Sequence, residues 1–552
     1  MNSIRAFSIQ VLTELWVPHP FQRFLRKWVG MRHYIFFAGS IVLVVLFSLF
    51  RSCLPAFGAT CESLATLTLP HGKITVAAAE PGGSLTGLTP KPLTDLPPFC
   101  RVAATLTPSI DSNIRIEVWM PASGWNGKYE GTGNGGYAGS ISYGALAAAI
   151  RRGYAGSNTD MGTSPTTGQN DDVLIGHPEK WRDWGSRSTH EMTMAAKQIV
   201  RAYYGAQPRL SYFVGCSTGG QQALLEAQRY PDDYDGILAG APANNRTRLH
   251  MGFIWDLAAA EEKPGSYIPS AKLPLLSDAV LKACVAQKAV ASDKFLSNPS
   301  ECRWDPQVLL CKSADAPDCL TAEQVTTARK LYGGPGNPIT HEAIYPGLTR
   351  GSEFDWNSMT PQGAPPRYNS LFKWTFGADW NWKTFDFNHD VTAVDAKLAS
   401  ALNATDPDLH TFKAHGRKLI VYHGWADVVV PSLESINYYR NVETAQLKDA
   451  ASHHHGKSEE TQAFYRLFMI PGMAHCAGGP GLNEIDAMDS IELWVEKGIA
   501  PGKLIARRIN KSVTAMTRPA CPYPQTVHYD GHGDTNNAAS FTCVLPGKRS
   551  TN

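Results

Sequence analysis

Residues 215–219 read Gly-Cys-Ser-Thr-Gly, and what flanks them constrains the chain more than any other feature. Upstream, Leu210-Ser211-Tyr212-Phe213-Val214 predicts a buried strand; downstream, Gly219 to Tyr230 is rich in Gln, Ala, Leu and Glu, stops at Pro231, and predicts a helix. Tyr234 to Ala239 predicts the next strand. Strand, tight turn, helix and strand in that order fold as a right-handed crossover onto a parallel sheet. The glycines permit a turn so sharp that the Ser217 hydroxyl stands clear of the sheet, while the helix N-terminus behind it offers backbone donors to a developing oxyanion. The five-residue pattern alone is common in ordinary turns; its seat at a strand-to-helix junction gives it chemical meaning.

A serine hydroxyl is a weak nucleophile without a base, and the base needs an acid to hold its tautomer. Asp427 lies in His423-Gly424-Trp425-Ala426-Asp427, just after a predicted strand Lys418 to His423. His475 lies in Pro471-Gly472-Met473-Ala474-His475-Cys476, after a predicted strand Phe464 to Ile470. Either residue alone reads as a polar turn residue. Serine, aspartate and histidine in that order, each after a strand end, is the pattern of an α/β-hydrolase fold, with Ser217, Asp427 and His475 as the triad. The oxyanion donors expected are the amides of Thr218 and of Gly135, within Gly131-Thr132-Gly133-Asn134-Gly135-Gly136-Tyr137 after a strand near Lys128 to Glu130. A phosphate loop is the competing reading of that glycine run, but it lacks the Lys-Ser/Thr pair and the dinucleotide spacing.

The rest of the chain divides around this pattern. From about Val102 to Gly240 short apolar runs alternate with amphipathic ones, as in βα units; from 245 to 398 prolines, tryptophans and cysteines accumulate and the alternation is lost. It then resumes, ending with a helix expected over Asn483 to Lys497. One sheet interrupted by an inserted lid accounts for two incomplete halves. The expected division is a leader at 1–59, hydrolase parts at 60–244 and 399–552, and a lid at 245–398.

Arg26, Lys27 and Arg32 precede an apolar run from Tyr34 to Phe50, the layout of an export signal, with Ala56-Phe57-Gly58-Ala59 as a cleavage site and Met31 as an alternative start. An uncleaved membrane anchor is the alternative. With 51 basic against 49 acidic residues, the chain offers no reason to expect a nucleic acid or an anionic membrane surface as partner; a small, uncharged or weakly anionic substrate fits better. Nothing in the sequence sets an oligomeric state. Eleven cysteines include Cys53 in the leader, and the even set of ten that remains suggests disulfides outside the cytoplasm. None of them has zinc-ligand spacing. His453-His454-His455 reads as a polar surface loop. Cys216 and Cys476 flank the serine and the histidine, so a triad that forms brings them together, and a disulfide there would fasten the nucleophile loop to the base loop.

At these residues the chain resembles the tannase and feruloyl esterase family, which includes mono(2-hydroxyethyl) terephthalate hydrolases. The likeness rests on Cys-Ser, Asp and His-Cys at 216–217, 427 and 475–476, on Gly-Gly-Gln-Gln at 219–222, and on Gly240-Ala241-Pro242-Ala243. It extends to Arg518-Pro519-Ala520-Cys521-Pro522-Tyr523-Pro524, Tyr529-Asp530-Gly531 and Phe541-Thr542-Cys543. The resemblance implies cleavage of esters of aromatic acids and a lid that shapes the acid pocket. It also implies the pairings Cys61–Cys100, Cys284–Cys302, Cys311–Cys319 and Cys521–Cys543. The family's calcium loop follows the first lid cysteine, and here its three ligand aspartates are replaced by Val285, Lys288 and Ser292, so no calcium, and no other metal or cofactor, is expected. Trp356, Phe372, Trp374, Trp380 and Trp382 could stack on an aromatic acyl group, although most read as core. Arg367 and Lys373 could meet a substrate anion, with solvated surface charge the simpler reading. Two other classes share this sequence pattern: an amidase or peptidase with the same triad, and a non-catalytic binding protein on the same scaffold.

Overall fold

A computed structural model of the chain describes residues 58–164, 172–448 and 457–546. The expected export signal and the triple histidine lie outside the described residues. No helix among the described residues is long and apolar enough to cross a membrane. Residues 58–546 belong to one compact unit.

Nine strands form the central sheet: β1 (Gly72–Glu80), β2 (Phe99–Leu106), β3 (Ile114–Pro121), β4 (Lys128–Thr132), β5 (Ala155–Thr159), β6 (Leu210–Cys216), β7 (Gly236–Gly240), β8 (Lys418–Gly424) and β9 (Tyr465–Ile470). Their spatial order is β1-β2-β3-β5-β4-β6-β7-β8-β9. From β5 to β9 all neighbours are parallel. Helix α1 (Tyr143–Arg151) carries the chain from β4 to β5, and α2 (Ser188–Tyr204) carries it back across to β6 on the other side of β4. The winding direction therefore reverses at β4, and a crevice opens between the C-terminal ends of β4 and β6, where parallel α/β sheets hold their ligands.

The register puts three loops at that same edge. Cys216 pairs with Gly240, Tyr422 with Gly240 and Gly424 with Ile470, so β6 and β7 end together and β8 and β9 end together two residues beyond them. The loops leaving β6, β8 and β9 carry Ser217, Asp427 and His475. Strand β7 is buried throughout, and its Gly-Ile-Leu-Ala-Gly sequence is the apolar run expected of a central parallel strand covered on both faces.

Two expectations need correction. The βα alternation read from Val102 onward does not hold at the N-terminal edge, where β1, β2 and β3 pair antiparallel and β3 meets β5 antiparallel. The link at 107–113 between β2 and β3 is too short for a parallel crossover. The helix expected over 483–497 starts later, as α5 (Met488–Lys497), because Glu484 and Ile485 pair with Arg507 and Ala506 and the Asp486 carboxylate accepts the Met488 N–H at 3.0 Å. A meander of β10 (Leu504–Asn510) and β11 (Val513–Ala520), unforeseen in the sequence, follows it. Beyond it, Tyr523 N–H donates to Leu467 O at 2.7 Å, so the tail covers part of the open edge of β9.

Between β7 and β8 the chain forms no strand of the main sheet. It builds helices, beginning with α4 (Arg246–Glu261), around two apolar clusters. Cys284–Cys302 and Cys311–Cys319 tie the loops of this insertion.

Candidate active site

Strand β6 runs into helix α3 (Thr218–Arg229) through Ser217 alone, at φ 65° and ψ −119°. A left-handed backbone at a residue with a Cβ costs roughly 1–3 kcal/mol and is held only where surroundings impose it. Here the Ser217 N–H is tied to Gly240 O at 3.0 Å, and the Ser217 carbonyl accepts from Gln221 and Ala243. A Cβ on Gly215 would come within 2.5 Å of the Gly219 carbonyl oxygen, so only glycine lets the turn close this tightly.

The three residues meet as their positions in the sequence suggested. His475 Nε2 lies 2.8 Å from Ser217 Oγ, and His475 Nδ1 lies 2.7 Å from Asp427 Oδ2. Asp427 is fully buried, and His475 retains side-chain exposure of 22%. Asp427 Oδ1 accepts the amides of Val429 and Val430 at 2.8 and 2.9 Å. Its Oδ2 meets a second imidazole, His423, whose Nε2 lies 3.1 Å away. Burial pushes the Asp427 carboxyl up, but the charge of His475 and the hydrogen bonds of His423 and His475 outweigh it and hold the carboxyl well below the usual range. A serine bonded to an imidazole that is oriented by an ionised carboxylate can surrender its proton as it attacks a carbonyl carbon.

His423 escaped the sequence reading. Its signal was its place at the end of a strand, four residues before the aspartate. Its Nδ1 faces Ser435 Oγ at 2.8 Å, and its Nε2 also reaches Val430 O at 2.9 Å. That pattern fits a hydroxyl donating to Nδ1 and a proton on Nε2 shared between the carbonyl and Asp427.

Cys216 and Cys476 form the disulfide anticipated from the triad, closing a loop of 260 residues. The other implied pairs, Cys61–Cys100, Cys284–Cys302, Cys311–Cys319 and Cys521–Cys543, are also bonded. The glycine run after β4 folds against the head of α3: Gly133 N–H donates to Val214 O, Gly219 N–H to Asn134 O, and Thr218 Oγ1 to Gly136 O at 2.8 Å. Thr218 supplies the first amide of the helix, and the space beyond the Gly135 Cα is open. Tyr137 packs against Trp184, Tyr368 and Trp374, which joins this run to the insertion.

The lid aromatics divide as their burial requires. Trp356, Phe372 and Trp374 are core residues, whereas Trp380 and Trp382 are partly buried against the cluster around Trp374. Lys373 pairs with Asp172 at 3.2 Å, and Arg367 lies over the Tyr368 ring. Where the resemblance implies calcium ligands, Lys288 Nζ donates to Ala291 O, and the remaining acid, Asp293, forms a buried ion pair with Arg518. Elsewhere His190, Glu226 and Asp233 draw together among the described residues, with the Lys197 ammonium donating to Asp233 O.

The family model for tannase and feruloyl esterase matches residues 100–544. The chain belongs to this family. Like other tannase and feruloyl esterase members, it is a carboxylic ester hydrolase. An uncharacterized esterase of Xanthomonas campestris pv. campestris is 37% identical over 527 residues, covering 88% of this chain and 91% of that protein. The mono(2-hydroxyethyl) terephthalate hydrolase of Piscinibacter sakaiensis is 31% identical over 530 residues, covering 82% and 85%. The crystal structure of feruloyl esterase B from Aspergillus oryzae superposes with a TM-score of 0.81 at 26% identity, covering 88% of this chain and all of that one.

Proposed function

We propose that the protein hydrolyses esters of small aromatic acids through an acyl-enzyme on Ser217. The observation that carries this is the continuous hydrogen-bonded line Ser217–His475–Asp427, in which Asp427 is buried while His475 and Ser217 keep some exposure. His475 takes the serine proton as Oγ attacks the ester carbonyl, then gives it to the departing alcohol. It next activates water, which releases the acid. The oxyanion is held by the amides of Thr218 and Gly135. The aromatic class rests on family membership and on relatives named for feruloyl and terephthalate esters. The insertion, joined to the oxyanion loop through Tyr137, acts as the lid that shapes the acid pocket.

No metal enters this mechanism: the positions of the family's calcium loop carry Val285, Lys288 and Ser292, and Asp293 is committed to Arg518. Five disulfides support work outside the cytoplasm. The test is hydrolysis of methyl gallate, methyl ferulate, mono(2-hydroxyethyl) terephthalate, a p-nitrophenyl ester and a matched anilide by wild type and Ser217→Ala. Turnover of an aromatic ester, lost in the variant and absent on the anilide, is expected. Turnover of the anilide alone would instead make the protein an amidase.

A further inference from the structure

Arg246, the first residue of α4, is 3% exposed and has no carboxylate partner among the described residues. Its guanidinium donates through Nε to Gln221 Oε1 at 2.8 Å and through Nη2 to Thr218 Oγ1 at 2.9 Å, and Nη2 also reaches Gln221. One face lies over the Trp184 ring, 4.9 Å from its centroid. Burial pulls the group down to about 10, so it remains charged at neutral pH. A buried cation without a counter-ion is costly, and folds retain one where its field has a use.

Its surroundings indicate that use. Thr218 Oγ1 accepts from Arg246 and donates to Gly136 O, so one short chain of bonds runs from the guanidinium through the head of α3 to the glycine loop after β4. Those two segments carry the amides assigned above to the oxyanion. The helix N-terminus already bears partial positive charge, and Arg246 adds a full charge behind it, in a site with little water to screen it.

We propose that Arg246 is a positioning residue of the oxyanion hole: it locks the Thr218 and Gly135 segments in register and supplies a permanent positive potential to the oxygen that becomes negative in the transition state. The proposal rests on the reading of Ser217 as nucleophile. The charge acts only when the carbonyl oxygen becomes anionic, so its removal affects kcat and leaves ground-state binding in place.

The experiment compares wild type, Arg246→Met, Arg246→Lys and Thr218→Val for kcat and KM on an aromatic ester. It also measures inhibition by benzeneboronic acid, whose serine adduct is tetrahedral and anionic, and by the free product acid. For Arg246→Met, a fall in kcat of roughly 10- to 100-fold is expected, with KM within about threefold. The boronate should weaken by a similar factor and product affinity should hold, with Arg246→Lys regaining most of the loss. Thr218→Val keeps the cation and cuts the link, so it should lose part of the same activity. It decides the question should Arg246→Met fail to fold. Boronate affinity and kcat within about twofold of wild type in whichever of these two variants folds would overturn the proposal. Turnover retained by Ser217→Ala would instead overturn the reading beneath it.

Discussion

His423 Nε2 lies 3.1 Å from Asp427 Oδ2, the same oxygen that meets His475, and both His423 and Asp427 are wholly buried. Asp427 is thus oriented from both sides. The proposed mechanism needs the carboxylate ionised and fixed in the plane of the His475 ring. His423→Ala removes one donor from a buried anion, and kcat should fall on the order of tenfold, with a pH–rate profile shifted by the weakened acid. His423→Gln, whose amide can donate from nearly the same place, should recover much of it. Identical profiles for wild type and the alanine variant would show that His423 only fills space.

The Cys216–Cys476 disulfide joins the residue before Ser217 to the residue after His475. For a closed loop of 260 residues, chain entropy alone predicts a stabilisation of roughly 5 kcal/mol. Cys216→Ala with Cys476→Ala should therefore lower the melting temperature. In the molecules still folded it should also lower kcat, because the serine–histidine distance is no longer imposed. Activity measured well below the transition, with folding followed by circular dichroism, separates the two effects.

Glu434, on the helix Leu433–Lys448, accepts from Asn245 Nδ2 at 3.3 Å, and burial raises its carboxyl to about 7 despite the hydrogen bonds of Asn245 and Asn437. The unfolded chain ionises this group in the ordinary carboxylate range, while the folded protein keeps its proton to near neutrality. Between the two the folded state binds more protons, so stability falls as pH rises, by about 3 kcal/mol once past the folded value. Glu434→Gln should flatten the loss of melting temperature between pH 5 and 8. An unchanged slope would count against it.

Metal removal should be silent. With Lys288 where the family resemblance implies a calcium ligand and Asp293 paired to Arg518, EDTA or added calcium should leave both melting temperature and turnover unchanged. A calcium-dependent rise in melting temperature would place a cation where none is proposed.

The meeting of Ser217, Asp427 and His475 was legible because each follows a strand whose apolar run is continuous, and a parallel sheet in register must bring such strand ends to one edge. The Cys216–Cys476 bond followed from them. Three features did not show. In the antiparallel β1 to β3, Lys73, Arg101, Arg115 and Glu117 interrupt the apolar residues, and this alternation alone does not give strand direction. His423 sits at the end of a strand, where it reads as part of the apolar run. Arg246 lies at the start of a helix, where an arginine ordinarily faces water, and its burial depends on Thr218 and Gln221, some 25 residues away in sequence.

The central claim is that Ser217 is the nucleophile, and covalent labelling tests it most directly. The protein is treated with a fluorophosphonate, and adduct mass, labelled peptide and residual turnover are measured together. One adduct on the peptide bearing Ser217, with ester hydrolysis lost in proportion and no label in Ser217→Ala, is the predicted result. Turnover that survives complete labelling of Ser217, or that persists in the alanine variant, would contradict the account.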